Sequence, residues 1–139
     1  MLVVIDTNVL LVSISKKSKY HWLYQLIISN KIQIAFTNDT LSEYEEQIGF
    51  HWHHDVATDV VRLLNELSTA YSTIIYYNLN FITADTDDNK FVDCAFAANA
   101  DYIITNDSHF NILKTIDFPE IPTLSLEEFK TLLIETKIL

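Results

Sequence analysis

Four short apolar runs, Leu2 to Ile5, Ile32 to Phe36, Thr73 to Tyr77 and Tyr102 to Thr105, are separated by segments whose apolar residues recur at helical spacing. This alternation constrains the fold more than any other feature of the chain. Runs this short and this apolar read as strands buried on both faces, the habit of a parallel sheet whose crossovers are helices. The helical segments are Tyr20 to Ile28, Leu41 to Ile48, Asp55 to Ala70 and Asn89 to Asn99. In the third of these, Val56, Val60, Leu63 and Leu67 fall at i, i+4, i+7 and i+11, one stripe on a helix. Ser125 and Glu128 have capping-box spacing and open a last helix through Leu126, Phe129, Leu132 and Leu133. The expectation is an α/β sandwich with a mostly parallel central sheet. No repeat and no Gly/Ser-rich or Pro-rich linker divides the chain, so residues 1–139 read as a single domain.

Composition narrows the function classes. Hydrophobic residues make up 49% of the chain, with one Gly and two Pro, which excludes a disordered or collagen-like protein. No apolar run approaches the roughly 18 residues of a membrane span, and Asp6 interrupts the first run with no basic flank before it. With the lone Cys94, this reads as a cytoplasmic chain with no membrane partner. Nineteen acidic against nine basic residues give a net charge of −10, which repels nucleic acid at long range. A polyanionic substrate therefore requires a divalent cation, a local basic strip or a basic partner.

In sheets of this kind the ligand site lies beyond the carboxyl ends of the strands. Asp6 directly follows the first run, and Asp107 follows the fourth after Asn106, so parallel neighbours would bring both carboxylates to one rim. Glu43 and Asp88 sit at helix starts. Each acid also has an ordinary structural role open to it. Thr40 with Glu43 has capping-box spacing, Asp88 stands as an N-cap, and Asp6 and Asp107 can bond their own turns. Asp85 and Asp87 read as solvated loop acids, and Asp93 as surface charge or a partner for Lys90. Two unit charges about 4 Å apart repel by roughly 4 kcal/mol at an effective dielectric near 20, so three or four clustered carboxylates call for a cation. Oxygen-only ligands favour Mg²⁺ or Mn²⁺.

The blocks Val4-Ile5-Asp6-Thr7-Asn8-Val9-Leu10-Leu11, Leu41-Ser42-Glu43-Tyr44-Glu45-Glu46, Asp85 to Ala98 with its Asp-Asp-Asn-Lys-Phe core, and Ala100-Asp101-Tyr102-Ile103-Ile104-Thr105-Asn106-Asp107 together resemble the PIN domain family. The resemblance implies a three-layer α/β/α sandwich and a metal-dependent ribonuclease, in many members the toxin of a toxin–antitoxin pair. It implies metal-site roles for Asp6, Glu43 and Asp107, with the third acid drawn from Asp88 to Asp93. Many toxin-type members carry that acid 18 residues before the last one, a position held here by Asn89 (107 − 18 = 89). Asp88 is the first substitute and Asp93 the second. The implied cofactor is Mg²⁺ or Mn²⁺ and the implied substrate RNA; an antitoxin protein and a second copy of the chain are the protein partners to consider. Metal-activated water would be the nucleophile, with Asn8 and Asn106 orienting ligands or water and Lys16, Lys17 and Lys19 tracking phosphates.

Competing readings rest on other residues. His51, Trp52, His53 and His54 lack the spacing of a closed zinc site and read as a loop or partner contact; Trp52 suits either base stacking or the core. Cys94, mid-helix among Ala and Phe, reads as a buried inert thiol. A haloacid dehalogenase-like phosphatase also opens with an apolar strand ending in Asp, but that chemistry uses a second Asp two residues on, where this chain has Asn8. A protein-interaction module with an acidic rim and no catalysis is the alternative from a different class.

Overall fold

The computed structural model describes residues 1–139. Five strands, β1 (Leu2–Ile5), β2 (Gln33–Phe36), β3 (Ala70–Ser72), β4 (Tyr102–Ile104) and β5 (Thr123–Leu124), form one sheet in the order β3-β2-β1-β4-β5. Every pairing is parallel. Val3, Val4 and Ile5 of the central strand are all buried. Successive strand side chains point to opposite faces, so both faces of β1 are covered, as a three-layer sandwich requires.

The covering layers are helices α1 (Thr7–Ile14), α2 (His21–Ile28), α3 (Asn38–His51), α4 (His54–Glu66), α5 (Asn89–Ala98) and α6 (Leu126–Glu135), with 3-10 turns at Thr86–Asp88 and Ser108–Thr115. Thirty-one buried hydrophobic residues make one contiguous core. No helix is long and apolar enough to cross a membrane. The helix α5 lies against β1, β2 and β4, on the path that returns the chain from β3 at one edge to β4 beyond β1. The β1–β4 junction is therefore where successive connections diverge, which opens a crevice at the strands' carboxyl ends.

Several elements differ from the sequence expectations, each for a local reason. The third strand is Ala70–Ser72 rather than Thr73 to Tyr77, because its neighbour β2 ends at Phe36, whose carbonyl takes the Thr73 N–H at 2.8 Å. Beyond that bond the ladder has no partner, and Ile74, Tyr76 and Tyr77 stand exposed despite their strand propensity. The helix expected to reach Ala70 ends at Glu66, because the Thr69 carbonyl is drawn into the sheet by the Ile34 N–H. Its buried line is Ala57, Val60 and Leu64, with Val56, Leu63 and Leu67 at its margins. Neither α1 nor β5 was expected, nor was the long 3-10 segment. The first is rich in Val, Thr and Ser and apolar around much of its circumference, so neither propensity nor periodicity announces a helix.

Capping also departs from expectation at α3. Thr37, not Thr40, is the N-cap: the Thr37 hydroxyl accepts from the Thr40 N–H at 3.1 Å, and the Thr40 hydroxyl accepts from the Thr37 N–H at 2.9 Å. The helix thus begins a turn earlier and leaves Glu43 free of capping duty. The box at α6 is as expected, with the Ser125 hydroxyl accepting from the Glu128 N–H and Glu128 accepting from the Ser125 N–H.

Candidate active site

Parallel pairing sets Ile5 opposite Ile104, so the residues that follow, Asp6 and Thr105, emerge side by side at the rim. The Asp6 N–H donates to the Ile104 carbonyl at 3.0 Å. The Thr105 hydroxyl donates to Asp6 Oδ2 at 2.8 Å and accepts from the Asp107 N–H at 3.0 Å. One hydroxyl thereby ties the two strand-end acids together. Asp107 Oδ1 accepts from the His109 N–H at 2.9 Å, closing the turn that leads into the 3-10 segment. Asp6 is only 6% exposed. Burial pushes its pKa up to about 6, with the charges of Asp107 and Glu43 adding to the rise and the Thr105 hydrogen bond opposing it.

Asp88 joins them from the turn before α5. It occupies the N-cap position without making a cap hydrogen bond, so the expected structural role is not the one it performs. Its Oδ2 is shut off from solvent with no hydrogen-bond partner, and His109 Nδ1 lies 3.5 Å away. Burial pushes the Asp88 pKa up to about 6, reinforced by Asp85, Asp107 and Asp6 and opposed by His109. His109 Nδ1 is also 3.5 Å from Asp107 Oδ1, so the imidazole stands between two of the acids. Ligand atoms from Asp85, Asp88 and His109 all lie within 4.8 Å of one another. Asp85 is exposed, as a loop acid should be, but it faces this cluster as well as capping its own turn through the Asp87 N–H.

Glu43 approaches from α3 in a different electrostatic condition. Its Oε1 is 2.7 Å from Lys90 Nζ, and its Oε2 accepts a hydrogen bond from the Thr7 hydroxyl. Lys90 also contacts Asp87 Oδ1 at 3.1 Å, so Asp87 is a paired residue rather than merely a solvated one. The side chains of Lys90 and Glu43 are each 18% exposed. Burial works against the Lys90 charge, but hydrogen bonds and attraction from Glu43 and Asp87 outweigh it and raise the lysine pKa.

The remaining candidates divide between structural and peripheral positions. Asp93 does not pair with Lys90; its Oδ1 accepts the Leu79 N–H at 2.9 Å and pins that loop to α5. Asn89 is buried, its amide spanning the Ile82 N–H, the Ile82 carbonyl and the Thr86 carbonyl at 2.8–3.1 Å. An amide can donate and accept at once, which a carboxylate cannot, so this bracing explains why Asn rather than Asp suits the position. Asn8 is exposed beside Asp6 and Asp107 in a shallow cleft that Tyr20 also lines. Asn106 accepts the Leu126 N–H at 3.1 Å and so anchors the start of α6. Lys16, Lys17 and Lys19 lie after α1, in the turn before α2. His51, Trp52, His53 and His54 form the exposed α3–α4 corner, where His53 Nδ1 caps α4 through the Asp55 N–H. Cys94 is fully buried, and burial pushes its thiol up to about 12, which removes it as a nucleophile.

An orphaned, desolvated carboxylate oxygen amid like charges suits a divalent ion, and the oxygen-rich donors of Asp6, Asp88 and Asp107 suit a hard one. Four contributors escaped the sequence reading: Thr7, Thr105, His109 and the Glu43 contact of Lys90. The only sequence signal for His109 is its place two residues after Asp107, and Thr105 was legible only as the end of a strand.

A family model for the PIN domain matches residues 2–109, from β1 through His109, and the chain belongs to the PIN domain family. Two of the solved structures that share its fold are VapBC structures. VapBC2 from Rickettsia felis, bound to a DNA fragment from their promoter, aligns with a TM-score of 0.59 at 17% identity, covering 90% of this chain and 98% of that one. VapBC-1 from nontypeable Haemophilus influenzae aligns with a TM-score of 0.55 at 14% identity, covering 91% and 99%. No curated protein matches the chain. The family assignment sets aside the haloacid dehalogenase reading.

Proposed function

We propose that this PIN domain is an endoribonuclease that hydrolyses RNA phosphodiester bonds with the help of Mg²⁺ or Mn²⁺. The observation that carries the reading is the acidic rim around Asp88: its Oδ2 is buried without a hydrogen-bond partner, its ligand atom lies within 4.8 Å of those of Asp85 and His109, and its carboxyl pKa is raised by burial and by the charges of Asp85, Asp107 and Asp6. Asp6, Asp88 and Asp107 are the proposed cation ligands, with Asp85 and Glu43 bordering them and His109 between Asp88 and Asp107. A divalent ion held there lowers the pKa of water and polarises a phosphoryl oxygen. The chain's own residues set the geometry. Thr105 fixes Asp6 through Oδ2, and the His109 N–H fixes Asp107 through Oδ1, so each keeps a second oxygen for the cation. Thr7 fixes Glu43 from the first turn of α1. Asp93 is assigned to bracing the Leu79 loop, and Asp88 takes the third acidic position.

The −10 charge favours cation binding before substrate approach, and Lys16, Lys17 and Lys19, in the turn between α1 and α2, are the proposed phosphate-tracking strip. Because the two structures of like fold are VapBC complexes, the natural setting proposed is a toxin held by an antitoxin protein. The test is cleavage of single-stranded RNA with Mn²⁺ by wild type, Asp6→Asn and Asp107→Asn. Loss in both variants, with folding intact by circular dichroism, is expected. Equal cleavage by all three would mark a contaminant, and no cleavage by wild type would favour an interaction module.

A further inference from the structure

We propose that Lys90 is a built-in cation occupying the place of a second divalent ion, so that the acidic rim binds one ion rather than two. The inference rests on the metal-dependent reading above and specifies it further. Both Glu43 oxygens are already engaged: Oε1 contacts Lys90 Nζ at 2.7 Å and Oε2 takes the Thr7 hydroxyl. Asp87, on the far side of the same ammonium, contacts it at 3.1 Å. The arrangement is therefore carboxylate, cation, carboxylate, as a bridging metal would make it, but the cation is covalently part of α5.

Position and charge both support this. Lys90 stands in the first turn of α5, two residues after Asp88, so the backbone that presents one rim acid also presents the ammonium. It is the only Lys or Arg lining the polar cleft of about 790 Å³ that lies beside Glu43. Among groups in direct contact, Glu43, Asp87 and Lys90 sum to −1, whereas Asp6, Asp88 and Asp107, with Asp85 facing them, have no lysine or arginine in contact. The attraction for a divalent ion is thus concentrated on the second group. Lysine also suits the role chemically, because its ammonium is a compact point charge with three donors. Lys90 acts through Glu43 and is a positioning residue.

The test counts ions instead of turnover. Mn²⁺ is titrated into the purified full chain by calorimetry, and the loaded protein is examined by electron paramagnetic resonance. Wild type and Lys90→Arg are expected to bind one ion and to give the spectrum of an isolated Mn²⁺. Lys90→Met, which keeps the length of the side chain but not its charge, is expected to bind two and to show an exchange-coupled pair. Two ions in wild type, or a single ion in a folded Lys90→Met, would overturn the proposal while leaving metal-dependent chemistry standing. No ion in wild type would overturn both. Glu43→Gln gives an independent check if Lys90→Met does not fold: an unchanged count of one and an affinity within about threefold are expected, and a drop of more than tenfold would identify Glu43 as a ligand and refute the assignment.

Discussion

The rim has two halves built from the same residue types in opposite conditions. On one side Asp6, Asp88 and Asp107 meet with Asp85 facing them and His109 between two of them, and Asp6 and Asp88 are pushed up to about 6. On the other, Glu43 and Asp87 share Lys90, and hydrogen bonding to that ammonium holds the Asp87 carboxyl below its ordinary value. Net charge cannot account for the contrast, because both halves sit in the same −10 molecule. Local neutralisation does: one half is already satisfied, and the other stores repulsion that a bound cation would relieve.

The strongest way to break this comparison is Asp6→Asn. Cleavage of RNA with Mn²⁺ should fall on the order of 10³-fold, about 4 kcal/mol of transition-state stabilisation. The metal-free variant should nevertheless melt at a higher temperature than wild type, since it loses a buried, repelled charge. A lower melting temperature would show that the carboxylate stabilises the apo fold.

The second largest effect is a pH dependence. In the unfolded chain Asp6 releases its proton near 3.8, whereas in the folded chain it holds it to about 6. Between those values the folded state binds more protons, so stability falls as pH rises and is not regained above 6. The loss from Asp6 is about 3 kcal/mol. Urea denaturation in chelator should trace this decline, and saturating Mn²⁺ should flatten it. A metal-free stability that rises over the same interval would contradict the strained half.

The satisfied half should respond in the opposite sense. Glu43→Gln leaves Lys90 with Asp87 alone and should cost about 2 kcal/mol in urea denaturation. The smallest expected effect separates two neighbours in sequence. Asp93→Asn keeps an acceptor for the Leu79 N–H, so stability should change by no more than about 0.5 kcal/mol and Mn²⁺ affinity should hold, whereas Asp88→Asn should weaken Mn²⁺ binding by more than about tenfold. Equal effects from the two would erase the distinction drawn between them.

Much of this rim was legible in the sequence because strand ends are. An apolar run stopping at Asp6 and another stopping just before Asp107 need only parallel pairing to meet. What could not be read was how each acid is held. Thr40 stands at capping-box distance from Glu43, yet Thr37 and Thr40 cap each other, and which threonine wins depends on where β2 releases the chain. The Lys90–Glu43 contact joins α5 to α3 and has no local signature. Asn89 reads as a missing ligand in a spacing argument, and only the Ile82 and Thr86 backbone groups around it reveal a brace. The α1 helix was hidden because Val and Thr favour strands, and its packing against α2 and α3 overrides that preference.

The Thr105 hydroxyl reaches across 99 residues to Asp6, and the Leu2 N–H makes an equally distant bond to Asp101. The first strand is thus completed by the fourth, 99 residues later in synthesis. A nascent chain that has reached residue 100 holds Asp6, Glu43, Asp88 and Lys90 but lacks Thr105, Asp107 and His109. Translation order therefore acts as a timer: a chain interrupted before residue 107 cannot carry the whole cluster, and whatever the rim does is withheld until residues 105–109 have been made.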